Sequence, residues 1–290
     1  MTSGKDALAD RLAHSGGGSK QWNSVAAGWA RQRGYLWSVS RDVGERLVAT
    51  LDPVPGETIL ELAAGPGDTG FEAASRIAPD GLLISTDVAP DMVATARERG
   101  RDLGLVNVEY RVVDAEATDL ADRSIDGILC RWGFMLVPHP ARAFEESFRV
   151  LRPGGRMAFS VWAEPDRNSW GTAIGRALLA LELIERPDPD APGPFRLGDA
   201  TRVRELVLAA GFDEPVIEDV PVTWEHESFD EYWDVTSDLS FLLATALATL
   251  EPDTIDEVRS RTAESLLPYT GASGRLSIPG LTRNVLTRKR

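Results

Sequence analysis

The reading of residues 58–74, TILELAAGPGDTGFEAA, decides the fold. TILELAA (58–64) is a short apolar strand. GPGDTG (65–70) matches G-x-G-x-x-G letter for letter, and a helix is expected from Thr69 to Ala78, stopped by Pro79-Asp80-Gly81. Strand, glycine turn and helix form the first half of a βαβ unit. In an open parallel sheet, ligands sit at the carboxyl ends of the strands, so this turn is an expected binding site. Glycine there lets backbone approach a ligand closely. The six letters alone also serve as a plain tight turn or as a pyrophosphate loop.

Working outward, strands and helices alternate. Strands are expected at 82–88, 108–114, 124–130 and 155–163. A helix opens at Pro90, which suits a first helical position, and ends at Gly104; another spans 140–151. Parallel strands joined by helices of this length make an α/β sheet. Upstream, residues 22–51 read as helical, with Trp29, Leu36, Val43, Leu47 and Leu51 on the apolar face. Residues 1–20, with Gly16-Gly17-Gly18-Ser19, have the composition of a flexible tail. Downstream come helices at 170–184 and 200–212, a proline-rich exposed loop or lid at 186–195, and a strand at 215–224. Two amphipathic helices follow (228–250 and 252–268), and a closing strand at 281–290. Residues 21–290 read as one domain, with 59–165 as its core. The 166–198 and 226–274 insertions are expected to form a substrate cap or a dimer surface.

Acids close three successive strand ends. Glu61 and Asp68 flank the first turn, Asp87 stands 20 residues beyond Gly67, and Asp114 ends the third strand. A carboxylate at Asp87 can accept both hydroxyls of a ribose. A dinucleotide would bring two phosphates beside Asp68 in a loop without Lys or Arg, which is electrostatically unfavourable. S-adenosylmethionine brings a sulfonium and an ammonium instead, and an acid-lined pocket suits it better. Each acid taken singly also reads as a helix cap or a solvated strand end.

The chain resembles the class I S-adenosylmethionine-dependent methyltransferases, most nearly the ubiquinone/menaquinone C-methyltransferase-like group. The matching segments are ILELAAGPGDTG, ISTDVAPDMVATAR and VEYRVVDAEATDLADRSIDGILCRWGFMLVPHPARAFEESFRVLRPGGRMAFSVWAEP, which cover 59–165 almost without gaps; WNSVAAGW (22–29) adds an aromatic N-terminal helix. The resemblance implies a Rossmann-like, doubly wound, seven-stranded and mostly parallel sheet with the last strand antiparallel, plus a helical cap insertion. It implies that Glu61, Gly65 and Gly67 line the methionine end of the cofactor and that Asp87 holds the ribose. Val88 and Met92 would flank the adenine, and Asp114 and Ala115 would meet its amino edge. Arg131 and Trp132 would lie near the sulfonium and the acceptor, with Trp29 or Tyr35 closing over the cofactor. Glu61 departs from the aspartate of many members and is taken as equivalent.

Methyl transfer is an in-line displacement in which the cofactor carries the reactive group. The protein aligns the acceptor and excludes water. A base is needed only if the acceptor must lose a proton. His139, before Pro140, reads first as a helix-start residue. His226, beside Glu225, reads first as part of a surface loop. Both stay weak candidates for the base. Tyr35, Trp132, Trp162, Trp170 and Trp224 are candidates for an acceptor pocket suited to a small aromatic or quinone-like molecule, although tryptophans are more often core.

The net charge of −14 argues against nucleic acid as a partner. No apolar run spans a bilayer, no signal segment is visible, and stable membrane insertion is not expected. One cysteine excludes a disulfide framework and a thiolate cluster for arsenite, and no metal site is expected. A cytoplasmic, small-molecule methyltransferase, monomeric or homodimeric, is the leading expectation. A non-catalytic S-adenosylmethionine binder and, more remotely, an NAD-dependent oxidoreductase stand as alternatives.

Overall fold

A computed structural model describes residues 4–13 and 18–290. Its helices and strands run α1 (Gly4–Ala13), α2 (Ser19–Arg31), α3 (Arg33–Leu51), β1 (Thr58–Glu61), α4 (Asp68–Ile77), β2 (Leu82–Asp87), α5 (Pro90–Asp102), β3 (Val108–Val112), β4 (Ile125–Arg131), α6 (Pro140–Val150) and β5 (Leu151–Trp162). Then follow α7 (Ser169–Ala180), α8 (Ala200–Ala209), β6 (Val216–His226), α9 (Phe229–Leu239), α10 (Phe241–Leu247), α11 (Pro252–Leu266) and β7 (Leu276–Arg288).

The sheet order is β3-β2-β1-β4-β5-β7-β6. Strands β1 to β5 pair in parallel, and β7 runs antiparallel to both neighbours, as the resemblance implies. Chain order reverses between β1 and β4, which opens a crevice at their carboxyl ends. Strand β1 is short and almost wholly buried, as befits a central parallel strand covered on both faces. Pro90 sits in the first turn of α5, where its missing N–H goes unused. At the other end of the chain, the Lys289 ammonium donates to the carbonyl of Leu151 at 2.8 Å and also reaches that of Phe148. A cation there meets carbonyls that the end of α6 leaves free.

The structure differs from the sequence reading at several points. Gly4–Ala13 is a helix, and Leu8 on it is fully buried, where a flexible tail is expected; α1 packs on α10. Residues 1–3 and 14–17 of that tail lie outside the described residues. The helix expected over 22–51 breaks at Gln32, whose amide donates to Asp238 at 2.7 Å. The helix expected over 228–250 breaks at Ser240, whose hydroxyl accepts from the Leu243 amide and caps α10. Strand β6 runs on to His226, and β7 begins earlier, at Leu276, because the two pair residue for residue along this length.

The insertion packs inside the chain: α11 lies against α7, α10 against α1, and α9 against α2. Leu243, Ala246, Val258 and Leu266 join the main core, so these apolar positions find their cover within one protomer. The 186–195 loop is mostly exposed, but its far end is pinned to the β4–α6 connection. There the Gly193 amide donates to Met135, and Arg196 donates to the carbonyls of Val137 and Pro138. Among the described residues, no helix is long and apolar enough to cross a membrane.

Candidate functional site

The crevice between the ends of β1 and β4 is a cleft. Its walls include Gly65 from the first turn, Asp87 at the end of β2 and Val88 after it, Met92 from α5, Asp114 and Ala115 after β3, Arg131 at the end of β4 and Trp132 after it, and Trp22 and Trp29 from α2. Eight of the ten residues expected to bind the cofactor therefore face one space. Glu61 and Gly67 do not line it.

Glu61 lies beneath the turn. Its carboxylate accepts from the Gly70 amide at 2.7 Å and from the Ser85 hydroxyl at 3.1 Å. Burial pushes its pKa up to about 7 against the pull of those hydrogen bonds and of Arg131. Gly70, the third glycine of the fingerprint, is what permits this approach: a Cβ there would stand 2.1 Å from a Glu61 oxygen. Gly67 takes a left-handed φ of 88° at the start of α4, and a Cβ there would meet the Phe71 ring at 2.6 Å. Asp68 is buried and paired with Arg99, with Arg33 at 3.7 Å. The acids of the first turn are thus internal props, Glu61 held by an amide and a hydroxyl and Asp68 by arginines, not a lining for a cation. Only Asp87 and Asp114 bring carboxylates to the cleft. The third glycine was the available signal for Gly70. Arg33 and Arg99 left none, because their role depends on the packing of α3 and α5.

Asp87 accepts from the Gly65 amide and from the Ala89 amide, each at 2.9 Å and each on a different oxygen. A carboxylate offers about four lone-pair positions, so one on each oxygen remains for a ligand hydroxyl. Burial raises the pKa of Asp87 while these amides oppose the rise. Asp114 is exposed and accepts from the Glu116 amide, which fixes the turn that carries Ala115. Arg131 donates to the Thr69 hydroxyl at 2.8 Å and lies over the Trp132 ring at 4.9 Å.

Two non-glycine residues of the cleft wall hold left-handed backbone: Ala63 at φ 51° and Trp132 at φ 59°. Strain of this kind costs about 1–3 kcal/mol per residue and concentrates at functional sites. The two loops touch where it occurs, since a Cβ on Gly133 would meet Ala63 and Cys130 at 2.6 Å. The Trp132 indole donates to the Thr282 hydroxyl at 2.9 Å, which locks the ring.

The remaining candidates lie behind Trp132 rather than in the cleft. Trp132 stacks on Trp162 at 4.2 Å, Trp162 meets Trp170 at 4.6 Å, and Trp170 stacks on Trp224 at 4.3 Å. Tyr35 adjoins Trp224 at 6.1 Å and stacks on His226 at 5.0 Å, and its hydroxyl lies 2.9 Å from His226 Nε2. Tyr35 therefore does not close over the cleft; Trp29 and Trp22 do. His226 is buried at the end of β6, not in a surface loop, because β6 continues through it. His139 is exposed at the start of α6, outside the cleft. Among the described residues, no group of three or more His, Cys, Asp or Glu side chains could hold a metal ion.

Comparison with known proteins fits this geometry. Residues 59–155 match the methyltransferase domain family. The chain is 32% identical over 196 residues to an arsenite methyltransferase of Halobacterium salinarum, covering 66% of this chain and 46% of that protein. It is 30% identical over 167 residues to a ubiquinone/menaquinone biosynthesis C-methyltransferase of Klebsiella pneumoniae, covering 57% of this chain and 64% of that one. The matches thus span about half to two-thirds of these relatives. The crystal structure of the YcgJ protein from Bacillus subtilis shares the fold, with a TM-score of 0.61 at 16% identity over 86% of this chain and 99% of that one. Residues 59–155, built around the 65–70 turn, thus match the methyltransferase domain family, and the chain is similar to S-adenosylmethionine-dependent methyltransferases of this fold.

Proposed function

We propose that the chain transfers a methyl group from S-adenosylmethionine to a small aromatic or quinone-like acceptor. The observation that carries this reading is the convergence of Asp87, Asp114, Arg131 and Trp29 on one cleft, with a free lone pair left on each oxygen of Asp87. When bound, S-adenosylmethionine supplies an electrophilic methyl group on a sulfonium. Asp87 would accept the two ribose hydroxyls, Val88 and Met92 would pack on the adenine, and the Ala115 turn would meet its edge. Trp22 and Trp29 cover the cleft and keep water from the reacting centre. The strained loops at Ala63 and Trp132 aim the wall at which sulfur and acceptor would meet.

The H. salinarum relative is an arsenite methyltransferase, but arsenite fits this chain poorly. Its one cysteine, Cys130, is buried, and burial pushes the thiol up to about 12, far from the thiolate that metalloids require. The aromatic residues behind Trp132 favour a ring-shaped acceptor instead.

Calorimetry tests the reading. S-adenosylmethionine and its demethylated product, S-adenosylhomocysteine, should bind at micromolar concentration, and NADH should not. Binding of NADH without binding of S-adenosylmethionine would overturn it. Transfer of labelled methyl to a panel of phenols and naphthoquinols, with none to arsenite, is the expected turnover.

A further inference from the structure

Among the described residues, five buried side-chain polar atoms without a hydrogen-bond partner lie along one face of the sheet: Ser160 Oγ and Asn284 Oδ1, with Ser40 Oγ, toward the cleft, and Trp224 Nε1 and His226 Nδ1 farther along β7. Strand register shows that they share a face. Ser160 pairs with Asn284, Ile278 with Trp224, and Leu276 with His226. Even spacing puts residues 276, 278 and 284 of β7 on one face, so the partners on β5 and β6 share it. Helix α3 lies across this face, where Asn284 donates to the Val43 carbonyl and Ser40 stands one turn earlier. The face begins next to the cleft, because Arg131 is the register partner of Ser160 and Trp132 stacks on Trp162.

Folded proteins pair nearly all such atoms, and each exception calls for an explanation. At the far end the exceptions, Trp224 and His226, sit among the rings of Tyr35, Trp170 and Tyr232. Their chemistry is specific at the far end. The indole of Trp224 can only donate. Tyr35 keeps its proton, because burial and the nearby Glu231 and Glu225 all raise its pKa. Burial likewise holds His226 neutral, with a pKa lowered to about 4. A phenol donating to Nε2 leaves the proton on Nδ1. Two donors, on alternate residues of one strand and with both rings against Tyr35, are then left without acceptors. Glu225 and Glu231 make the same spot unfavourable for an anion.

We propose that Trp224, His226 and Tyr35 form the far end of the acceptor pocket and bind an uncharged ring oxygen, a phenol or a quinone carbonyl, on a flat acceptor that lies along the tryptophans from Trp132. The proposal rests on the methyltransferase reading and adds the acceptor's chemistry to it. The rings are in contact in this structure, so entry requires a ring to swing. Tyr35 suits that role: it is only half-buried and stands in the first turn of α3, beside the break at Gln32.

The test uses the full chain saturated with S-adenosylhomocysteine, titrated by calorimetry with 2-naphthol and with 2-naphthoate. The naphthol should bind, and the naphthoate should bind about tenfold more weakly or not at all. His226→Phe and Trp224→Phe should each weaken 2-naphthol by about tenfold while S-adenosylhomocysteine affinity stays within about twofold. Unchanged naphthol affinity in both variants, equal binding of the naphthoate, or no naphthol binding to the wild-type complex overturns the proposal alone. Failure of the wild type to bind S-adenosylhomocysteine overturns the methyltransferase reading and the proposal with it. If either variant loses S-adenosylhomocysteine binding through misfolding, Tyr35→Phe carries the test. It keeps the ring and removes the hydroxyl that sets the His226 tautomer; it should weaken the naphthol several-fold, and unchanged affinity again overturns the proposal.

Discussion

The β1–β2 side of the cleft and the ring cluster behind Trp132 solve opposite problems. On the β1–β2 side, carboxylates are tied down by nearby backbone. Asp87 is held by the amides of residues 65 and 89, and Glu61 by the amide of residue 70. All of these lie within a few dozen residues of one another. In the ring cluster, Tyr35 meets His226 across 191 positions of sequence, and two ring nitrogens find no partner. The first region is preformed for a ligand with fixed chemistry. The second holds unmet donors in an apolar surround, a state that favours whatever ligand supplies an oxygen. One fold can thus keep a constant cofactor half while its acceptor half varies.

The largest expected effect tests the preformed half. Asp87→Ala should weaken S-adenosylhomocysteine by about 100-fold or more, since two charge-assisted hydrogen bonds to the ribose are lost together with the support of Gly65. Calorimetry reads this directly, and an unchanged affinity would remove the ribose contact from the account. The next test separates props from ligand contacts within the turn. Gly70→Ala drives a methyl group onto the buried Glu61 carboxylate, whereas a Cβ on Gly65 meets nothing within 4 Å. In urea unfolding, Gly70→Ala should lose about 2–4 kcal/mol. Gly65→Ala should lose only the roughly 1–2 kcal/mol of its left-handed φ. Equal losses would mean that Glu61 is not the prop described here.

These two regions also differ in how far the sequence revealed them. The alternating strands and helices, the switch-point turn and the strand-end acids Asp87 and Asp114 were legible, because each follows from a local pattern: apolar run, glycine turn, acid at a strand end; Val88, Met92, Ala115 and Arg131 came only with the family resemblance. The direction in which Glu61 and Asp68 face was not. For Asp68 it is set by Arg99 and Arg33, which other helices bring in, and for Glu61 by the Gly70 amide and the Ser85 hydroxyl of the neighbouring strand. His226 read as a loop residue because its burial comes from pairing with Leu276 and from Tyr35, both remote in sequence. The burial of Leu8 was hidden for a similar reason, since α1 packs on α10. A short helix beside a glycine run carries no sign of a partner more than two hundred residues away.

The pH dependence of stability contrasts the two regions again, now with opposite signs. Glu61 has its pKa raised from the ordinary carboxylate range to about 7, so its protonated form is favoured by folding. Its contribution is fully present below about pH 4.5 and is lost as pH rises through 7. His226 has its pKa lowered from about 6.5 to about 4, so its neutral form is favoured. Its contribution is fully present above pH 6.5 and is lost as pH falls through 4. Each spans on the order of 3 kcal/mol over its window. Between pH 5 and 6 the two slopes oppose each other, and the wild type should show a flat stability profile. Glu61→Gln keeps the shape, and its amide can still meet Gly70 and Ser85; it should expose the His226 slope, with stability falling as the medium is acidified. His226→Phe should expose the Glu61 slope, with stability falling toward pH 7. Chemical denaturation across this range decides it; parallel profiles in all three proteins would mean that neither group titrates as its burial implies.

The smallest expected effect concerns the seam that joins the two regions. Helix α2 carries Trp22 and Trp29 over the cofactor cleft, and its end is tied to α9. There Asp238 accepts from Arg31 and Gln32, and the Trp29 indole donates to the Leu239 carbonyl at 3.2 Å. The ion pair is exposed, and exposed pairs contribute little. Beneath it the backbones pack closely, for a Cβ on Gly28 would lie 2.1 Å from the Asp238 carbonyl oxygen. If packing and the indole bond hold α2 in place, Asp238→Ala should change S-adenosylhomocysteine affinity by less than about threefold, with no new salt dependence. A tenfold loss that added salt reproduces in the wild type would instead make the charge pair the fastening, and the cover of the cofactor half would then answer to ionic strength rather than to packing.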